Sequence, residues 1–256
     1  MVADIDVIHA VRDQEIQEAI RQLYRVFAPY PYRRAMEDDP VAGRFPRLDR
    51  VPLISMTWDD FGEYPIKAIA TWGNVDDFRH FLPRWLELCN APILLGQRLV
   101  FSKLAYARWR TWPAQQQHAI RVFTLALWRR KILVAEHGLR DDADCLLQTL
   151  CDAYDNPRTF LDEWDAAMDD VATAEAATVN LARFVETNEH SLRKNGRLEW
   201  LSGKNDQITE QVLRWIASAE TAQRLERAFF AYRESANAAL LSNAHQCCIH
   251  LATRST

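Results

Sequence analysis

A chain of 256 residues, 48% hydrophobic and 26% charged, has the length and balance of a globular protein with a sizeable core. Its net charge of −4, from 35 acidic against 31 basic residues, excludes a general attraction to nucleic acid or to an anionic membrane. Only seven Gly point away from sheets and towards helices, and five Cys, an odd number that includes the adjacent Cys247 and Cys248, do not form a disulfide framework. They suit a reducing compartment. No basic region followed by an apolar run opens the chain, and no apolar stretch reaches the ~18 residues of a membrane span. The expected location is the cytoplasm.

In chain order, the first expected helix covers residues 10–28, where Ile16, Ile20, Leu23, Tyr24 and Phe27 recur at spacings of three and four. "PYPYRR" stops it, because prolines cannot continue a helix. Residues 29–56, with Pro40, Gly43, Pro46, Pro52 and the acidic run "EDD", form the least regular segment. Thr57 is the expected N-cap of a helix reaching Trp72 and Gly73, with Asp59 and Asp60 in its first turn. Asn74 caps the next helix, with Asp77 three positions on in a capping-box arrangement. Pro83 is expected to kink or break that helix.

A less regular helical pattern follows from about Pro92 to Arg108. "TWPAQQQHAIRVFTLALWRRKILVAEHG" carries the strongest helix signal: Pro113 opens it, Gly138 closes it, and Ile120, Phe123, Leu127 and Ile132 share its apolar face. Further helices are expected at 141–154, 158–168, 171–194 and 206–218, and one long helix over about 220–250. "FLPRW", "FLDEW" and "VLRW" echo one another at uneven spacing, each after a break, as stacked antiparallel helix pairs do. The expected fold is therefore all-α, an antiparallel helical bundle or short irregular α-solenoid of about nine to ten helices. It is read as a single domain over 1–256, with a candidate sub-boundary near 138–142.

Three kinds of chemistry compete for the densest stretch, "TWGNVDDFRHFLPRW". Asp77 and His80, three apart, could share a helix face and ligate a metal. A two-metal bundle needs two Glu-x-x-His elements and two further Glu on facing helices, and the chain has no Glu-x-x-His, as it has no His-Glu-x-x-His and no Cys-x-x-Cys. The structural reading is that Asp76 and Asp77 favour the helix start while Phe78, Phe81, Leu82 and Trp85 form its buried face. Cys–His pairings occur at "CCIH" and at Cys89 near His80, but nucleophilic catalysis needs a base oriented by a third group. No Gly-rich phosphate loop is present. The basic "WRRK" suits a helix C-terminus better than a nucleic-acid surface.

The acidic positions lie in loops or first helical turns, where the helix dipole alone favours them. In a stacked-helix architecture alternate loops share one edge, so these acids could also rim exposed aromatics. The candidate partner-binding set is Tyr30, Tyr32 and Trp58 as anchors, with Glu37, Asp38, Asp39, Asp59 and Asp60 as steering charges for a basic protein. The competing reading has Tyr30 and Tyr32 sealing the end of the first helix. No catalytic residue, metal ligand or cofactor is assigned.

"PIKAIATWGNVDDFRHFLPRWLELCN" resembles a block in a family of uncharacterised bacterial all-helical proteins, with a consensus close to "KALTTWG-x-x-x-DF-x-HFLPR-x-LEL". "LYRVFAPYPY" upstream and the "W-x-x-WP … ALW" region downstream look like further blocks, so the resemblance covers roughly residues 20–130. It implies a helical fold and genes that can lie beside bacterial toxin genes, hence an immunity protein. Many members of that family carry a Cys-rich segment after the Phe/Tyr/Pro stretch. This chain has "RRAMEDDPVAGRF" there, so any metal bound by that segment is not expected here. The alternatives left open are a helical scaffold or adaptor, and a metal-dependent enzyme using Asp77 and His80.

Overall fold

The structure, a computed structural model, describes residues 5–32, 48, 51–90, 94–133, 143–154, 156–198 and 206–254. Among the described residues the fold is all-α, with 79% helix and about ten substantial helices. In order these are α1 (Ile5–Phe27), the single turns α2 (Trp58–Phe61) and α3 (Tyr64–Lys67), α4 (Val75–Leu88), α5 (Leu94–Tyr106), α6 (Ala114–Lys131), α7 (Ala143–Tyr154), α8 (Arg158–Asp169), α9 (Ala174–Asn195), α10 (Asp206–Ile216), α11 (Ala219–Ala231) and α12 (Ala238–Arg254). No helix among the described residues is long and apolar enough to cross a membrane. Gly138 and the break at 138–142 lie outside the described residues.

The chain divides into two compact units, one of Gln14–Leu127 and one of Met1–Asp13 with Trp128–Thr256. The first is built on clustered aromatic rings, most of them meeting edge to face. Phe61, Phe78, Phe81 and Trp85 are fully buried, and Phe61 and Phe78 each lie 5.5 Å from the ring of Trp85. Tyr24 of α1 donates to Glu87 of α4 (2.6 Å), and Arg84 donates both to Glu87 (2.7 Å) and to the Met56 carbonyl (2.6 Å). Burial and the Glu87 charge push the Tyr24 hydroxyl above its ordinary value, so it stays a donor.

The second unit is organised around Trp164. Its indole N–H donates to the Ala177 carbonyl (3.0 Å), and its ring meets Trp128 and Trp215, both at 5.4 Å. Arg224 ties α11 to α8 by donating to Asp165 (2.7 Å) and, through two nitrogens, to Asp169 (2.6 and 3.0 Å). Long α9 packs against α8, α11 and α12.

Three expectations are corrected. Pro83 neither breaks nor ends α4, which runs through it. The ring removes the N–H that the Arg79 carbonyl would accept, at a cost of about 3 kcal/mol. Burying Phe78, Phe81, Leu82, Trp85 and Leu86 at roughly 1.5–3 kcal/mol each outweighs that. The long helix expected over 220–250 is two, α11 and α12. Between them the Ser235 hydroxyl accepts from the Asn237 N–H (3.2 Å), the local competition by which Ser and Asn interrupt helices. The helix expected from Thr57 to Trp72 is likewise two single turns, because Gly62 adopts φ 52, ψ −124 between them.

Candidate functional site

The dense stretch forms a corner at the head of α4. Asn74 accepts from the N–H groups of Asp76 (2.8 Å) and Asp77 (3.2 Å), and Asp77 Oδ2 accepts from the Asn74 N–H (2.8 Å). This is a reciprocal capping box, which satisfies N–H groups that a helix start leaves bare. Gly73 enters it at φ +63, and a Cβ there would meet Asp77 Oδ2 at 2.9 Å and the Tyr64 hydroxyl at 3.2 Å. Trp72, Phe81 and Trp85 are buried.

The Asp77–His80 pair is committed elsewhere. Asp77 serves the cap, and His80 Nδ1 lies 2.7 Å from the Tyr30 carbonyl. Burial lowers the His80 pKa against the opposing pull of that carbonyl, which favours the neutral ring donating through Nδ1. Among the described residues no group of three or more His, Cys, Asp or Glu could hold a metal ion. Asp77 Oδ1 and the Tyr64 hydroxyl are buried beside one another's elements without a hydrogen-bond partner. Burial pushes the Cys247 thiol up and the Cys248 thiol up to about 12, so both pack as apolar groups.

Of the anchor residues expected from sequence, Tyr30 and Tyr32 close the end of α1. The Tyr30 hydroxyl accepts from Gln116 (2.7 Å), and its ring carries the Arg79 guanidinium at 5.1 Å. Tyr32 meets His80 at 6.0 Å and Phe81 at 5.8 Å. Trp58 is half-buried, 6.4 Å from Phe61, which lies 5.6 Å from Phe81. The ring series Trp58–Phe61–Phe81–Tyr32 therefore joins two expected anchors in one aromatic cluster.

The acids divide. Asp59 is exposed, whereas Asp60 is buried and its carboxylate accepts from the Thr57 N–H (2.9 Å) and hydroxyl (2.8 Å). Asp60 is thus a capping residue. Glu37, Asp38 and Asp39 lie outside the described residues.

Two residues that sequence reasoning missed complete this edge. Ile54 is 63% exposed in the short 3-10 turn before α2. Gly96 of α5 gives Trp58 its seat, since a Cβ there would stand 2.7 Å from the indole. An isolated Gly inside the helical "LLGQRL" was the available signal, because such a Gly usually answers a packing need. Comparison with protein-family models, curated proteins and solved structures finds no match.

Proposed function

We propose that this chain is a non-catalytic cytoplasmic binding protein, an immunity protein that neutralises a cognate bacterial toxin by direct protein–protein contact. Its partner is a basic toxin domain. The observation that carries this reading is the edge formed by residues 54–59. Exposed Ile54 and half-exposed Trp58 stand beside exposed Asp59 on a segment that cannot rearrange freely. Arg84 holds the Met56 carbonyl at 2.6 Å, the Thr57–Asp60 box fixes the turn, and Gly96 seats the indole.

Such a segment combines the parts of a protein-binding surface. An apolar or aromatic anchor supplies affinity, a flanking carboxylate steers a basic target, and a fixed backbone lowers the ordering cost of association. The "EDD" run at 37–39 adds acidic charge shortly before this edge in sequence. The family resemblance of the "TWG…HFLPRW" block supports the toxin context.

The test is to identify the genes adjacent to this one and to co-express the chain with any toxin they encode. Growth is expected to recover, the two proteins to co-purify, and both effects to weaken when Ile54→Asp is combined with Trp58→Ala. Failure to rescue and to co-purify would leave a scaffold or adaptor role in its place.

A further inference from the structure

The non-glycine residues with positive φ among the described residues are Ile69 (φ 67) and Arg108 (φ 52), and one lysine connects their surroundings. A β-branched side chain is strained in this region, because its Cβ crowds the following carbonyl oxygen. Ile69 is held there by a tight turn. The Lys67 carbonyl accepts from Ala70 (3.2 Å), Thr71 (3.0 Å) and Trp72 (3.1 Å), while the Ile69 N–H donates to the Trp72 carbonyl (2.9 Å).

Lys103 of α5 fastens this turn by donating to the Ala68 carbonyl at 2.9 Å, and its ammonium lies 5.8 Å from the Tyr106 ring centre. Arg108 is the second residue after α5, and its carbonyl accepts from the Thr111 N–H at 2.8 Å. Around these groups Ile66 and Tyr106 are each 62% exposed. Lys67 is neutralised by Glu63 at 2.7 Å. Among the described residues neither Lys103 nor Arg108 meets a carboxylate, although the chain as a whole is acidic. Burial lowers the Lys103 pKa, as expected of an ammonium partly stripped of water without a counter-ion.

We propose that Ile66, Ile69, Lys103, Tyr106 and Arg108 form a docking surface for a segment of a partner protein that presents a carboxylate beside an apolar side chain. The carboxylate supplies the counter-charge that Lys103 and Arg108 lack, and the apolar group covers Ile66 and Tyr106. Backbone strain fits this role, since strained residues persist where the conformation itself is used in binding. The surface is distinct from the 54–59 edge, favours the opposite charge, and does not depend on the toxin reading.

The experiment is a nuclear magnetic resonance titration of the full ¹⁵N-labelled chain with two peptides at millimolar concentration, N-acetyl-Leu-Leu-Glu amide and N-acetyl-Leu-Leu-Lys amide. The glutamate peptide should shift amides at 66–72 and 103–108 and bind about fivefold more tightly than the lysine peptide, the ratio of a partly screened ion pair. Lys103→Met should reduce the glutamate peptide to the level of the lysine peptide. Tyr106→Ser, an exposed change that spares the fold, should weaken both. Equal binding of the two peptides, shifts centred elsewhere, or no shifts would overturn the assignment, and these outcomes are readable even should Lys103→Met unfold.

Discussion

Gly73 and Ile69 lie four residues apart in one turn, both with φ near +65° (63 and 67), yet they have opposite energetics. At Gly73 the left-handed backbone costs little, and the missing Cβ leaves room for Asp77 and Tyr64. At Ile69 the same backbone is paired with a side chain poorly suited to it. The corner around Gly73 is a place where local sequence preference, capping and core packing agree, which is how a sequence specifies its fold. The turn around Ile69 breaks local preference, is flanked by exposed Ile66 and Tyr106, and is fastened by a lysine that meets no carboxylate among the described residues. Agreement marks the scaffold here, and disagreement marks the surface proposed to bind.

The largest effect that tests this contrast is expected for Gly73→Ala. Left-handed strain together with the 2.9 Å approach to Asp77 should lower stability by about 2 kcal/mol, read from the urea midpoint. An unaffected midpoint would remove Gly73 from the scaffold. Asp77→Ala should cost about 1 kcal/mol through loss of the capping box. Arg108→Gly acts in the other direction: this exposed residue has φ 52, so glycine should raise stability by roughly 0.5–1 kcal/mol while weakening the glutamate peptide. A loss of stability at Arg108→Gly would show that the strain attributed to it is absent.

The pH dependence sharpens the same boundary. Burial depresses the folded-state pKa of His80 below its unfolded value, so the unfolded chain binds the proton first. Stability should therefore fall as pH drops below the ordinary histidine value of about 6.5. His80→Asn should flatten that slope in thermal melts at a series of pH values. The smallest effect belongs to Tyr64→Phe. Its hydroxyl is buried without a partner, so removing it should leave stability unchanged or slightly raised.

The caps were legible because they are local. Asn74 and Asp77 stand three apart, the spacing of a reciprocal box, and Thr57 reads as an N-cap; that Asp60 is spent on the Thr57 cap instead of steering a partner was not read. The all-α class followed from few glycines and sustained 3.6-residue periodicity. Continuation of α4 through Pro83 was not legible, since it depends on how much apolar surface the rest of the fold lays against that helix. The split between α11 and α12 depends on a single weak Ser235 turn inside a helical pattern. At the edge, Trp58 could be nominated from sequence, but its seat on Gly96 joins residues far apart in the chain. The conformation of Ile69 has no sequence signal at all.

The central claim is that the corner at Gly73 and Asp77 is scaffold while the 54–59 edge contacts the partner. Calorimetric titration with the partner proposed above, a basic toxin domain that co-purifies with the chain, tests it most directly, using the wild-type chain, Asp77→Ala and the exposed double variant Ile54→Asp/Asp59→Lys. Asp77→Ala is expected to bind with wild-type affinity below its melting point, and the double variant to lose at least about tenfold, roughly 1.4 kcal/mol, with an unchanged melting temperature. Wild-type affinity in the double variant together with lost binding in folded Asp77→Ala would contradict it, and would make the corner the binding site.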